Sequence, residues 1–210
     1  MQIRVFILMC CGLIVVGSAA SDAMASTFRF QPESSLPLVL DDATPEIEEV
    51  AARPEFGAQG TVRFQVGGSV SSNFNDVSLL QARTSVSWFI VDGVSVDFEA
   101  DFGAVIQPDT QDGVGGGASF MFRWHMLRKD TWSFYGELGA GMFWSSVDVP
   151  AGGGQVKFQP QIGLGVSFDV AEDVRMMVGA RWTHLSNART TSTNPGFDGL
   201  GIYAMLSFGF

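Results

Sequence analysis

The 210-residue sequence contains few cysteines, few charged residues and no second long apolar run. Both cysteines, Cys10 and Cys11, lie in an apolar run near the N-terminus, so no disulfide is available to the rest of the chain. Only 16% of the residues are charged and the net charge is −10, which excludes a basic surface for nucleic acid. After residue 25 no run of about 20 apolar residues remains, which excludes a helical membrane protein. The remaining classes are a soluble all-β domain and a membrane β-barrel, since an apolar content of 46% argues against general disorder.

The first 25 residues are predicted to be a secretory signal peptide. Arg4 precedes the apolar run Val5–Gly17, and Ala23–Ala25 provides a small-x-small cleavage pattern. A membrane-anchoring helix is the less favoured alternative, because the run is short for spanning a bilayer. We therefore expect the mature chain to begin near residue 26.

Residues 26–58 form an acidic segment that differs in composition from the rest of the chain. Between residues 32 and 55 there are seven carboxylates, four prolines and a single basic residue, Arg53. Such a composition predicts a poorly ordered leader. A docking function for this segment is the alternative, and we expect the folded domain to occupy residues 59–210.

From residue 59 onward, apolar and polar residues alternate along the chain. In Gln155–Asp169, every even position is apolar or proline, and every odd position is polar or glycine. A period of two predicts a β-strand with one apolar face and one polar face. Eight segments of this kind are predicted as strands: 59–70, 77–90, 94–106, 114–127, 131–145, 155–169, 173–186 and 198–210.

The connections between the predicted strands alternate in length. Three are tight, and four are longer and polar: 71–76, 107–113, 146–154 and 187–197. Short turns on one rim and longer loops on the other, with an even number of strands, are typical of outer-membrane β-barrels. A small pore is not expected, because eight strands leave no room for a water channel.

A soluble lipocalin-like barrel is the alternative fold, with the apolar face turned inward instead of outward. Two features favour the membrane barrel. The polar face combines small residues with opposite charges, which suits the narrow interior of an eight-stranded barrel. All five tryptophans lie on the apolar face near predicted strand ends, as expected at membrane interfaces. The predicted fold class is therefore all-β, an eight-stranded antiparallel transmembrane β-barrel in the bacterial outer membrane.

A histidine, a serine and an aspartate meet where predicted strand 7 ends and strand 8 begins. His184 and Ser186 are two residues apart and share the face of Trp182, which belongs to the lipid-facing set. Asp198 is spaced by an even number of residues from the apolar residues of the last strand, beginning with Leu200, so it lies on the same face of that strand. These are the residue types of a serine hydrolase, and a site that faces lipid implies a lipid substrate. The alternative is a group of polar anchors at the membrane interface without catalysis.

The residues around this constellation resemble the lipid A 3-O-deacylase (PagL-like) or acyloxyacyl hydrolase family of outer-membrane β-barrels. The resemblance rests on His184–Ala188, with its H-x-S-N-A pattern, and on Asn194–Gly196, with its N-P-G pattern. Upstream it includes Phe134–Gly141 and Phe158–Val166, whereas the first three strands resemble the family only in architecture. The loop departs from the family at Arg189, where glycine is common.

The resemblance implies a hydrolase that removes the 3-O-linked acyl chain from lipid A of lipopolysaccharide. Carried over to this sequence, it makes Ser186 the nucleophile and His184 the general base. It also makes Asn187 and Asn194 residues that form or support the oxyanion site. The acid of the triad falls on Asp198, where the family has glutamate. A non-catalytic structural or adhesion barrel in the outer membrane is the alternative function.

Other polar residues are interpreted as structural. His125 shares the inward face with Arg123 at the opposite rim. The acidic row Asp97, Glu99 and Asp101 is expected to pair with inward-facing arginines rather than to bind a metal, because buried charges need partners. No zinc-ligand spacing, P-loop or dinucleotide fingerprint occurs in the sequence, so no metal and no cofactor are expected. The expected partners are lipid A and outer-membrane lipid, without nucleic acid, and a homodimer is left open.

Overall fold

Eight antiparallel β-strands close into a barrel in the computed structural model, which describes residues 55–190 and 193–209. The predicted signal peptide and the acidic segment up to residue 54 lie outside the described residues. Each strand pairs with the next in sequence, and the first pairs with the last. No helix among the described residues is long and apolar enough to cross a membrane. The strands are β1 (Val62–Ser72), β2 (Ser78–Val91), β3 (Val94–Ile106), β4 (Gly113–Arg128), β5 (Trp132–Ser145), β6 (Val156–Ala171), β7 (Val174–Leu185) and β8 (Phe197–Gly209).

The eight predicted strands are confirmed, and the largest difference is the start of β1. The alternation predicts a strand from Gln59, whereas β1 begins at Val62. Gly60 has a φ of 85°, in the left-handed region, and its N–H donates to the carbonyl of Phe89 at 2.8 Å. The N–H of Gln59 donates to Asp92 Oδ1 at 2.8 Å. These residues therefore bind the end of β2 and the β2–β3 turn instead of extending the strand.

The apolar side chains of the strands cover the outer wall of the barrel, and the polar side chains fill its interior. In β6, Leu164 is 55% exposed on the outside, whereas Lys157 is fully buried inside. This orientation is that of a membrane barrel and the reverse of a lipocalin. All five tryptophans lie exposed on the outer wall, towards one or other rim: Trp88, Trp124, Trp132, Trp144 and Trp182.

The interior is held together by buried ion pairs. Arg123 contacts Asp97 at 2.7 Å and Glu137 at 3.1 Å. Arg181 contacts Glu99 at 2.6 Å and Glu137 at 2.7 Å. Asp97 and Glu99 of the acidic row thus pair with arginines from other strands, as the sequence predicts. We call these residues, together with Arg83, the interior network.

The rim with the short turns is closed by aromatic packing around His125. His125 Nδ1 lies 2.7 Å from Ser133 Oγ, and its ring contacts the rings of Phe56 and Tyr135 at centroid distances of 5.0 and 5.1 Å. Phe56 also lies under the guanidinium of Arg175, whose central carbon is 3.9 Å from the ring centroid. These contacts give His125 a packing role, as expected from the sequence.

Candidate active site

The candidate site lies at the rim with the long loops, where β7 ends and β8 begins. Leu185 and Phe197 pair across these strands and are fully buried in an apolar cluster beneath the loops. Because successive side chains of a strand point to opposite faces, the neighbouring His184, Ser186 and Asp198 lie on the outer wall. The side chains of His184 and Asp198 are 31% and 61% exposed. The predicted common face is therefore confirmed, and we call these three residues the outer-wall site.

His184 and Asp198 form a direct hydrogen-bonded pair. They are exact partners in the β7–β8 register, and His184 Nδ1 lies 2.8 Å from Asp198 Oδ1. The short aspartate side chain reaches the imidazole because its backbone lies directly opposite. When Nδ1–H donates to this carboxylate, Nε2 is left as the proton acceptor. This is the arrangement that a general base requires.

Ser186 follows β7 directly and is fixed by backbone hydrogen bonds to β6. Its N–H donates to the carbonyl of Phe158 at 3.1 Å, and the N–H of Phe158 donates to its carbonyl at 2.7 Å. Within residues 55–190 and 193–209, Ser186 Oγ forms no hydrogen bond with the His184 ring. Catalytic hydrogen bonds are often long without substrate and tighten in the complex. The structure thus brings His184 and Asp198 into contact and places Ser186 on the same wall.

Two further residues, neither of them predicted from the sequence to have this role, restrict the imidazole. The ring of Trp182 stacks on that of His184, with centroids 5.9 Å apart and planes inclined by 20°. Gly196 lies so close that a Cβ at this position would be 3.2 Å from His184 Cε1. The signals in the sequence are the spacing of Trp182, two residues before the histidine, and the glycine of the N-P-G pattern.

Asn187 and Asn194 organise the loop that follows Ser186. The backbone N–H of Asn187 donates to Asn194 Oδ1 at 2.9 Å, which orients the Asn194 amide. The buried side chain of Asn187 donates from Nδ2 to the carbonyl of Thr193 at 2.8 Å and accepts from the Arg189 N–H at 2.9 Å. Asn187 therefore supports the loop. Among residues 55–190 and 193–209, Asn194 Nδ2 has no hydrogen-bond acceptor, which leaves it as a free amide donor.

The turn after Asn187 adopts a backbone conformation that side chains disfavour. Ala188 and Arg189 have φ values of 50° and 62°, both in the left-handed region. This region costs a non-glycine residue roughly 1–2 kcal/mol. The cost explains why a glycine suits position 189, and in this chain the hydrogen bond from the Arg189 N–H to Asn187 holds the turn.

An apolar groove of about 550 Å³ begins next to the outer-wall site. Trp182 and Leu200 line it, and each lies two residues from His184 or Asp198 on the same face. Further along, the groove is lined by Ile162, Leu164, Leu138 and Met126. Its volume lies in the range of small-molecule sites. In the described parts of the chain, no group of three or more His, Cys, Asp or Glu side chains could hold a metal ion.

Comparisons with known proteins relate the chain to one family and one fold. The family profile described as lipid A 3-O-deacylase (PagL) matches residues 76–207. The crystal structure of the outer membrane enzyme PagL superposes with a TM-score of 0.53 and 18% identity, covering 67% of this chain and 97% of that chain. The crystal structure of Neisserial surface protein A (NspA) has a TM-score of 0.56 and 13% identity, covering 71% and 96%. A search of curated proteins finds no match.

Proposed function

Because this chain belongs to the lipid A 3-O-deacylase (PagL) family and is an outer-membrane β-barrel, we propose that it removes the 3-O-linked acyl chain from lipid A. The reaction is ester hydrolysis by Ser186, His184 and Asp198. The observation that carries this proposal is the 2.8 Å contact between His184 Nδ1 and Asp198 Oδ1 on the outer wall. It pairs a base with its orienting acid on the same wall as a serine, as serine hydrolases require.

In the proposed mechanism, Ser186 Oγ attacks the carbonyl carbon of the ester while His184 Nε2 accepts the hydroxyl proton. Asp198 keeps the imidazole oriented through Nδ1 and stabilises the imidazolium. The tetrahedral intermediate collapses, the bond to the sugar oxygen breaks, and His184 returns the proton to that oxygen. Water, deprotonated by His184, then hydrolyses the acyl-serine and releases the hydroxyacyl chain as a fatty acid.

The oxyanion of the tetrahedral intermediate needs hydrogen-bond donors. Asn194 Nδ2 is our candidate, because the Asn194 oxygen already accepts from the Asn187 N–H and so orients the amide. Asn187 acts indirectly by holding the loop around this donor. Removing one such donor from other hydrolases lowers kcat by about 10²–10³-fold.

The position of the site supports a lipid as substrate. The three residues lie on the outer wall at the rim with the long loops, which faces the cell exterior in outer-membrane barrels. Lipid of the outer leaflet therefore reaches them directly, and the adjoining groove is apolar. A substrate with a polar headgroup and acyl chains fits a site between loops and groove.

Mass spectrometry of lipid A from cells with and without the protein tests the proposal. We expect the loss of one hydroxyacyl chain with the parent and no loss with Ser186→Ala. Ser146→Ala, which changes an exposed serine on the same rim, serves as the matched control and should behave as the parent. Unchanged lipid A in the presence of the folded parent would favour the alternative function, a structural or adhesion barrel. The barrel fold is also found in NspA.

A further inference from the structure

A lysine is buried beneath the long loops, next to the outer-wall site but on the other face of the sheet. Lys157 is the second residue of β6, and its side chain is fully buried, whereas its neighbours Val156 and Phe158 are exposed on the outer wall. In the part of the chain that the structure describes, no carboxylate lies within 4.0 Å of its ammonium group. Burying a cation is costly. The charge of Asp148 in the β5–β6 loop favours the ammonium group from beyond contact distance, so the direct partners of Nζ are hydrogen-bond acceptors.

The ammonium group of Lys157 links two of the long loops. Nζ donates to the carbonyl of Gly153 in the β5–β6 loop and to the carbonyl of Pro195 in the β7–β8 loop, the second at 3.4 Å. Hydrogen bonds from a charged donor are stronger than neutral ones. Lys157 therefore fixes the distance between these loops from below.

Pro195 lies between Asn194 and Gly196, the two loop residues that we relate to the outer-wall site. Asn194, on one side of it, accepts the Asn187 N–H through Oδ1. Gly196, on the other side, lies against His184 Cε1. A shift of the Pro195 carbonyl would therefore move both the candidate oxyanion donor and the residue that packs against the base.

The β5–β6 loop contacts the same segment at two more points. Thr193 Oγ1 donates to the carbonyl of Gly152 at 3.0 Å, and Asn187 Nδ2 approaches the carbonyl of Gly153 at 3.4 Å. The β5–β6 loop thus acts as a support for the loop that follows Ser186, and the ammonium of Lys157 connects the two.

We propose that Lys157 is a positioning residue for the catalytic loop, acting through Pro195 on Asn194 and Gly196. The inference rests on the proposed function. It assigns a role in turnover to a side chain on the interior face, which does not contact the substrate. Since a misplacement of about 1 Å can cost 10²-fold in rate, loss of this contact should lower kcat with little change in KM.

Lys157→Met tests the proposal, because it keeps the length of the side chain and removes the ammonium. Gln159→Met is the matched control. Gln159 is also buried on the inward face of β6, two residues from Lys157, and its Oε1 has no hydrogen-bond partner in the described part of the chain. With purified folded protein and lipid A in detergent micelles, we expect kcat to fall about 10- to 100-fold for Lys157→Met and less than 3-fold for Gln159→Met.

Hydrogen exchange of residues 187–196, measured by mass spectrometry, provides a readout that does not depend on activity. Lys157→Met should speed exchange in this segment, whereas Gln159→Met should not. Parental kcat and parental exchange in folded Lys157→Met would overturn the inference. If Lys157→Met does not fold, Lys157→Gln, which also removes the charge, is measured in its place, and parental kcat and exchange in that variant would overturn the inference.

The two proposals fail in different ways. If folded Ser186→Ala hydrolyses lipid A as fast as the parent, the proposed mechanism is wrong, while the exchange experiment still decides whether Lys157 holds the loop. If Ser186→Ala is inactive and Lys157→Met retains parental kcat, only the positioning role is wrong.

Discussion

The two faces of the barrel wall use charged and titratable side chains in opposite ways. In the interior network, Glu99 alone contacts three arginines, Arg181 at 2.6 Å, Arg123 at 3.4 Å and Arg83 at 3.6 Å, and all four residues are buried. In the outer-wall site, His184 has one carboxylate partner and both side chains are partly exposed. Every charged residue of the interior network has an oppositely charged partner in contact. The outer-wall site instead keeps His184 Nε2 and the serine hydroxyl available for a substrate.

Because of this difference, residues of one strand contribute either to the stability of the fold or to the proposed reaction, depending on the face they occupy. Arg181 and His184 lie three residues apart in β7 and point to opposite faces. Removing one member of a buried ion network leaves its partners charged and unpaired, which destabilises the fold. Removing a member of an exposed pair affects stability little. The two faces should therefore respond to mutation in different measurements.

Asp198→Asn should have the largest effect of the substitutions considered, and it should change the rate of hydrolysis but not the stability of the fold. The amide keeps the size of the side chain but no longer stabilises the imidazolium or fixes the tautomer of His184. The corresponding change in other Ser-His-Asp enzymes lowers kcat by about 10⁴-fold, and we expect a loss of about 10²–10⁴-fold. Steady-state hydrolysis of lipid A by the purified variant measures it. Asp109→Asn, at an exposed aspartate of the β3–β4 loop, is the control. An unchanged kcat for Asp198→Asn would remove this residue from the mechanism.

Glu99→Ala should lower the free energy of unfolding without changing the rate of hydrolysis. It leaves Arg83, Arg123 and Arg181 without their shared carboxylate in the barrel interior. Breaking a buried ion pair in this way costs about 3–5 kcal/mol, and we expect a loss of that size in the free energy of unfolding. Urea unfolding in detergent, followed by tryptophan fluorescence, measures it. The kcat of the folded fraction should stay at the parental value, and a large loss of kcat there would contradict the separation of the two faces.

Arg189→Gly should have the smallest effect, and it should be stabilising. The left-handed backbone at position 189 costs a non-glycine residue roughly 1–2 kcal/mol, which glycine avoids while adding entropy to the unfolded chain. We expect a net gain of about 0.5–1 kcal/mol, detected as a higher midpoint of thermal unfolding. Thr190→Gly, at a neighbour without a positive φ, should lower the midpoint. A lower midpoint for Arg189→Gly would show that the arginine side chain contributes more than the backbone conformation costs.

The fold and the common face of the site could be predicted from the sequence, because both depend on a period of two. The side chains of Trp182, His184 and Ser186 share a face in any extended strand. The direct contact between His184 and Asp198 depends in addition on the β7–β8 register, which the length of the long loop does not fix. The predicted start of β1 was wrong by three residues, because Gly60 adopts a left-handed conformation that the alternation of apolar and polar residues does not reveal.

The contacts between loops were beyond prediction. Lys157 appears in the sequence as one more polar residue on the inward face of β6, like Gln159 and Gln161. Its role depends on which carbonyls lie above it, and one of these, the carbonyl of Pro195, belongs to a loop 38 residues further along the chain. The same is true of Gly196, whose packing against His184 requires the whole β7–β8 loop.

Covalent labelling with an alkyl fluorophosphonate tests the central claim most directly, because this reagent phosphonylates serines that a neighbouring base activates. Peptide mass spectrometry of the folded barrel should find the label on Ser186 in the parent and in Glu99→Ala, and no label in His184→Ala. A folded parent without label at Ser186, or equal labelling of parent and His184→Ala, would contradict the claim that the outer wall carries an activated serine.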